Sequence, residues 1–290
     1  MASAVLRETY SFLRWRLVPL RALGKLKNQL FGHDAPGFRE ETVGMSAARL
    51  AEIETMGWTN ASSPSAPLLR EIIEVYTPRA DAVVPNDQGH PFENIVQPED
   101  FDARNPVFRL AFSPEILDAA NAYFGGAFSM ASIQVMRSFP TFGALRESQQ
   151  WHRDYGDEKS LHFIMYLNDV TEEKHGPFAF LNKPLSQRVK RSPIIRRLSD
   201  EQIAAEVGTD EYETFYGRAG DAIWVDPAAC YHYGSRCRVP RTAVFITFNT
   251  HVPYTEMMEP LGRHRARAAR EARKVRPDLA PDYIDRVLQV

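Results

Sequence analysis

Trp151-His152-Arg153-Asp154 is the most informative stretch of this sequence, and it is interpreted together with His232 and Arg241, which lie much further along the chain. Alternate side chains of a β-strand lie on the same face, so His152 and Asp154 are predicted to point the same way from one strand. The β-branched and aromatic run Thr242–Phe248, directly after Arg241, is typical of another strand. The pattern therefore predicts strands that carry polar side chains toward one point.

Two imidazoles and one carboxylate form the ligand set that holds a non-haem Fe(II) on one face and leaves the other face open. A fourth protein ligand would favour a closed structural site instead. Histidines without any metal are the alternative, because a His-x-Asp pair also occurs by chance. His-Arg-Asp also matches a protein-kinase catalytic loop, but that loop needs an asparagine where this chain has Lys159. The kinase interpretation is therefore set aside.

Further segments accompany these residues in a fixed order: Gln150–Asp154, then Leu161–Val170 with Gly176-Pro177-Phe178, then Gly220-Asp221, then His232 through Arg241. Together they resemble the phytanoyl-CoA dioxygenase-like family of 2-oxoglutarate oxygenases, over roughly residues 130–250. The resemblance implies an all-β double-stranded β-helix (jelly roll, cupin-like) with flanking helices. One departure is that Phe180-Leu181-Asn182-Lys183-Pro184 stands where the family usually has Pro-Gly-Ser-His.

The same resemblance implies the roles of the site residues. His152, Asp154 and His232 would hold iron, and Arg241 would grip the distal carboxylate of the cosubstrate 2-oxoglutarate, with O2 as the oxidant. Halogenating relatives carry a small residue at the carboxylate position, so the retained Asp154 implies hydroxylation. No catalytic residue is predicted beyond the metal ligands.

The residues themselves support a carboxylate-binding role for Arg241, because a guanidinium meets a carboxylate through two parallel hydrogen bonds and stays charged at any working pH. Arg236 and Arg238 are rivals on spacing alone, in the polar turn 234–240. Gln134 alternates with apolar neighbours in the strand-like run 132–136, so it faces either the pocket, as a second 2-oxoglutarate contact, or solvent.

Composition favours one enzyme domain. The chain has 290 residues, of which 44% are hydrophobic and 25% charged, with a net charge of -2. That charge gives no reason to expect a nucleic-acid partner. Two cysteines are too few for a disulfide framework, which favours the reducing cytoplasm. Cys230 is interpreted as a small buried hydrophobe.

Three parts are predicted along the chain. Residues 1–45 form a basic amphipathic segment, whose stretch 6–30 either contacts a membrane surface or packs on the core. Residues 46–260 form the jelly-roll domain, in which the insertion 184–216 is predicted to be a lid at the open end of the barrel. Residues 261–290 form a basic, solvated helical tail.

Local signals predict the secondary structure inside this frame. Strands are expected at 130–136, 161–168, 177–181, 221–225 and 242–249. Helices are expected after the capping residues Ser46, Ser113 and Ser199, the last with Gln202 completing a capping box. Residues 77–106, rich in Pro, Asn and Asp, are predicted to be irregular.

Two other functions remain open. The first is a non-catalytic jelly-roll binding protein, and the second is a metal-dependent oxygenase that does not use 2-oxoglutarate, which would leave Arg241 without a role. The partner is predicted to be a small molecule. Basic residues near the predicted mouth would suit an anionic group, although they are also ordinary surface charges: Arg137, Arg153, Arg236, Arg238 and the insertion cluster Lys190, Arg191, Arg196 and Arg197.

Overall fold

The computed structural model describes Leu26 and residues 45–85, 89–190, 196–209 and 211–290. The predicted membrane-contacting stretch 6–30 therefore lies outside the described residues, except for Leu26. Within the described part of the chain, every helix is too short or too polar to cross a membrane.

The described chain forms eleven strands and eight α-helices. The strands are β1 Trp58–Ala61, β2 Phe92–Asn94, β3 Phe128–Ser138, β4 Trp151–His152, β5 Ser160–Tyr166, β6 Phe178–Phe180, β7 Arg197–Leu198, β8 Glu213–Phe215, β9 Ala222–Val225, β10 His232–Tyr233 and β11 Arg241–Thr250. The helices are α1 Ala47–Met56, α2 Ala66–Ala82, α3 Pro106–Ala111, α4 Pro114–Phe124, α5 Lys183–Arg188, α6 Asp200–Val207, α7 Leu261–Val275 and α8 Pro281–Leu288.

The strands form two antiparallel sheets, which confirms the predicted jelly roll with flanking helices. One sheet has six strands in the order β1-β9-β5-β11-β3-β2, and the other has five in the order β7-β4-β10-β6-β8. The six-stranded sheet contains the long pairings of β11 with β3 and with β5. The five-stranded sheet is built from strands of only two or three residues.

The central strands of the six-stranded sheet are largely buried on both faces, and their side chains alternate between two environments. On β5, one set of side chains joins the large core formed with the helices: Leu161, Phe163 and Met165. The alternate set faces the space between the two sheets: His162, Ile164 and Tyr166. The interior of the jelly roll is therefore lined by every second residue of the central strands.

All five predicted strands are present, within one to two residues of their expected ends. The three capped helices are present as α1, α4 and α6. Ser46 and Ser199 accept the capping hydrogen bonds from Arg49 N and Gln202 N, whereas the Ser113 side chain makes none.

The predicted irregular stretch 77–106 is partly wrong, because α2 continues through Pro78 to Ala82. A proline inside a helix removes a hydrogen bond and normally breaks it. Here the helix buries Ile72, Tyr76 and Ala80 in the main core, and this packing outweighs the local cost.

The described parts of the insertion 184–216 and of the helical tail 261–290 both pack against the rest of the fold. Within the insertion, β7 pairs with β4 and β8 pairs with β6, so the insertion supplies both edge strands of the five-stranded sheet. The helical tail is present as α7 and α8. It is solvated on one side only, since residues such as Ala268, Ala272 and Ile284 are fully buried in the main core.

Candidate metal centre

Two short neighbouring strands bring the predicted histidines together. His152 ends β4 and His232 begins β10, and the two residues lie directly opposite each other in the antiparallel pairing. Their ring centroids are 4.3 Å apart. The third predicted residue, Asp154, follows β4, and its backbone N–H donates to the carbonyl of Pro227 at 2.9 Å.

The predicted reason for this convergence needs a correction. We expected His152 and Asp154 to share one face of a single strand, but β4 ends at His152. The hydrogen bond to Pro227, rather than strand alternation, fixes the backbone of Asp154 beside the two histidines.

The three side chains form a compact group of metal-binding type. Asp154 Oδ1 lies 3.7 Å from His152 Nε2 and 3.8 Å from His232 Nε2. One ligand atom from each residue lies within 4.8 Å of the other two, and this is the only such group of three among the described residues. The Asp154 side chain keeps 35% of its surface exposed because it faces an open cavity. A cation can therefore reach all three side chains.

Backbone carbonyls orient both imidazoles for this role. His152 Nδ1 lies 2.8 Å from the carbonyl of Gln150, and His232 Nδ1 lies 3.0 Å from the carbonyl of Cys230. A carbonyl oxygen only accepts hydrogen bonds, so each Nδ1 carries the proton and each Nε2 presents a lone pair toward Asp154. This tautomer is the one in which Nε2 can bind a metal.

The electrostatics of the group give the same protonation state. Burial lowers the pKa of His232 to about 3, and the neighbouring His152 adds to this effect. Burial also lowers the pKa of His152, against the attraction of Asp154. Burial alone would raise the pKa of Asp154, but the hydrogen bond from His162 and the nearby histidines outweigh it, so that pKa lies below its usual range. Neutral imidazoles and an ionised carboxylate are the forms that bind divalent metals.

The cavity beside this group is small and mostly apolar. It encloses about 220 Å³, and its apolar walls include Phe92, Met136, Phe178, Phe245 and Met258. Gln134 faces the cavity, which resolves the choice between pocket and solvent left open by the sequence. No lysine or arginine is among the described residues that line it.

Arg241 begins β11 and lies behind the cavity wall. The residue is 2% exposed, and its guanidinium donates to the carbonyl of Gly176, to Ser235 Oγ at 3.2 Å and to Ser138 Oγ at 3.4 Å. Gly234 and Ser235, which line the cavity, lie next to it. No carboxylate within the described chain pairs with Arg241, and its Nε–H has no acceptor. A buried cation in this state favours an anionic ligand.

The rival arginines are engaged elsewhere. Arg236 forms an ion pair with Asp200 at 2.9 Å, and Arg238 donates to the carbonyl of Thr141 at 2.6 Å. Arg153 donates to the carbonyl of Ala228 and Arg137 contacts Asp81 and Thr242. None of these four arginines is among the described residues that line the cavity.

His162 is a site residue that was not predicted from the sequence. Its Nε2 lies 3.0 Å from Asp154 Oδ2, and its Nδ1 lies 2.8 Å from Thr247 Oγ1. The available signal was strand alternation, since His162 stands two residues before Ile164 in a predicted strand, and interior positions of that strand are otherwise apolar or aromatic.

Comparisons with known proteins identify the fold. No family model matches the sequence, and no curated protein matches it either. Among solved structures, EctD from S. alaskensis with bound Fe is 18% identical, with a TM-score of 0.54 over 80% of this chain and 85% of that chain. The same protein with 2-oxoglutarate and 5-hydroxyectoine gives 19% identity and a TM-score of 0.53, with the same coverage of both chains.

A third structure has the same overall architecture. The epimerase SnoN in complex with Fe3+, alpha ketoglutarate and nogalamycin RO is 15% identical, with a TM-score of 0.51 over 69% of this chain and 82% of that chain. At these identities the likeness shows the fold alone.

Proposed function

We propose that this protein is an Fe(II)- and 2-oxoglutarate-dependent dioxygenase that hydroxylates a small-molecule substrate. His152, Asp154 and His232 would hold the iron, and Arg241 would bind the distal carboxylate of 2-oxoglutarate. One observation carries the proposal: a buried arginine without a carboxylate partner lies behind the wall of the same cavity that a His-Asp-His group faces. The similarity to structures that hold iron and 2-oxoglutarate supports it.

Iron, when bound, would couple the oxidative decarboxylation of 2-oxoglutarate to oxidation of the substrate by O2. The residues of the chain would bind and orient the cosubstrate and shield the site from water. Arg241 offers fixed donors at one end of the site, and Gln134 is proposed to assist it from β3. Phe178 and Phe245 line the cavity with apolar surface, which limits the entry of water.

The alternatives fit the structure less well. A metal-dependent oxygenase that does not use 2-oxoglutarate would leave the unpaired charge of Arg241 unexplained. A non-catalytic jelly-roll binding protein would have no need for two imidazoles held in the metal-binding tautomer. A halogenase needs an open position where Asp154 provides a carboxylate, so hydroxylation is the proposed outcome.

The substrate is proposed to present an uncharged, apolar part to the metal. Phe92, Met136 and Met258 line the cavity, and the predicted anion-binding arginines contact other groups. A charged group of the substrate would then lie outside the cavity. The proposed location is the reducing cytoplasm, which suits Fe(II) and the two free cysteines.

An anaerobic titration tests the proposal. Fe(II) and then 2-oxoglutarate are added to the protein, and visible absorption is recorded, followed by a succinate-release screen over candidate substrates. We expect a new absorption band only when both ligands are present. Tight 2-oxoglutarate binding without any iron binding would contradict the proposal, and so would the absence of binding by both.

A further inference from the structure

We propose that His162 is a positioning residue that assigns the two oxygens of Asp154 to different partners, so that one oxygen is held for the metal. This inference rests on the proposed iron site. It concerns a residue that does not itself belong to the His-Asp-His group.

The two carboxylate oxygens of Asp154 face in different directions. Oδ1 faces the histidine pair, at 3.7 Å from His152 Nε2 and 3.8 Å from His232 Nε2. Oδ2 faces His162 Nε2 at 3.0 Å, within hydrogen-bond distance. An ionised carboxylate can use both oxygens for one cation. The contact with His162 occupies the second oxygen and leaves only the first for the metal.

The carboxylate of Asp154 fixes the tautomer of His162, because it only accepts hydrogen bonds, and the hydroxyl of Thr247 is compatible with that tautomer. Thr247 Oγ1 lies 2.8 Å from His162 Nδ1 and can donate its proton to that nitrogen. The imidazole proton then resides on Nε2 and is donated to Asp154 Oδ2. The opposite arrangement would place the lone pair of Nε2 against a carboxylate oxygen at 3.0 Å, which is repulsive. Thr247, His162 and Asp154 therefore form a directed chain of hydrogen bonds.

The sheet holds this chain rigidly. His162 and Thr247 are direct cross-strand partners in the pairing of β5 with β11, and both strands are internal to the six-stranded sheet. His162 is 13% exposed and lines the cavity, so its ring lies at the site rather than at the protein surface. Asp154, by contrast, lies outside any strand. The sheet thus supplies a fixed donor to a carboxylate on a less regular segment.

This arrangement matters for the number of open metal positions. The proposed cosubstrate and O2 would both need open positions on the metal, and a set of three protein ligands would leave such positions free. If Asp154 bound the metal through both oxygens, one of these positions would be lost. Residues that hydrogen-bond a metal ligand commonly change metal affinity by 10–100-fold when mutated, which is a measurable size.

The test compares His162→Leu, His162→Gln and Thr247→Val with the unmodified protein and with His251→Leu, a matched control at a histidine outside the cavity. The measured quantity is the Kd of Fe(II), obtained anaerobically by competition with a chromophoric chelator, without turnover. Circular dichroism and thermal melting show whether each variant is folded.

We expect His162→Leu to weaken Fe(II) binding about 10–100-fold. His162→Gln should bind within a few-fold of the unmodified protein, because its side-chain N–H reaches about as far as Nε2. Thr247→Val should lie between the two, and His251→Leu should not differ from the unmodified protein. Folded His162→Leu with unchanged affinity would overturn the inference, and so would His162→Gln as weak as His162→Leu.

A spectroscopic measurement separates positioning from direct ligation. In the Co(II)-loaded protein, the intensity of the visible d–d bands falls as the coordination number rises. We expect weaker bands in His162→Leu, because Asp154 then binds through both oxygens; stronger bands would mean that His162 is itself a ligand. Unmodified protein that binds no Fe(II) would overturn the proposed function and this inference together, whereas a failure confined to the variants would overturn this inference alone.

Discussion

The unpaired buried charge of Arg241 leads to a quantitative prediction for Arg241→Met, which removes the charge and keeps a side chain of considerable length. The guanidinium already donates to Gly176 and to two serines, and its Nε–H is left without an acceptor. A hydrogen bond to a charged partner contributes about 1.5–3 kcal/mol. Since 1.4 kcal/mol is a factor of ten, loss of one such bond should raise the Kd of 2-oxoglutarate roughly 10- to 150-fold.

Isothermal titration calorimetry of the anaerobic Fe(II)-loaded protein measures this Kd directly. Thermal stability is a poorer readout, because the variant also leaves the carbonyl of Gly176 without its donor. The matched control is Arg236→Met, whose charge pairs with Asp200 instead. We expect the control to leave the Kd of 2-oxoglutarate unchanged. An unchanged Kd in Arg241→Met, with the loss appearing in Arg236→Met, would refute the assignment of Arg241.

Three further predictions follow from the site. His152→Ala or His232→Ala should abolish iron retention, because a three-ligand site cannot lose an imidazole and stay tight; full iron content after dialysis, by metal analysis, would refute the ligand assignment. If the proposed function holds, the unmodified protein should give a product that gains one oxygen and no chlorine by mass spectrometry in chloride buffer, and an Asp154→Gly variant that hydroxylates at full rate would show that Asp154 is not a ligand. Gly176→Ala should lower stability by about 1–3 kcal/mol in chemical denaturation, because φ is 65° and the new Cβ would lie 2.6 Å from the backbone nitrogen of Cys237; unchanged stability would contradict this reasoning.

The types and order of the site residues could be predicted from the sequence, because His152, Asp154 and His232 carry the chemistry in their side chains. The direction of Gln134 could not, since alternation alone does not tell which face of a strand borders a cavity. The contact of His162 with Thr247 depends on the register between β5 and β11, two strands far apart in the chain. Long-range register is therefore the information that the local pattern lacks.

Helix α2 is a second case in which the local sequence pattern lacks the long-range information that decides the structure. Pro78 and the polar residues after it predict irregular structure, and this local preference is real. The helix persists because Tyr76 and Ala80 on either side of Pro78 are buried against the rest of the core. Such burial is decided by residues distant in sequence, so the helix could not have been predicted from the local sequence alone.

The two strands that carry the histidines are only two residues long each, in contrast to the long strands of the opposite sheet. Short ladders contain few hydrogen bonds, so this sheet belongs to the part of a protein expected to open locally at low free energy. A metal held by His152 and His232 would link β4 and β10 at their directly opposed residues. Amide hydrogen exchange in these strands should consequently slow when iron binds, and the iron supply would set how often this half of the barrel opens.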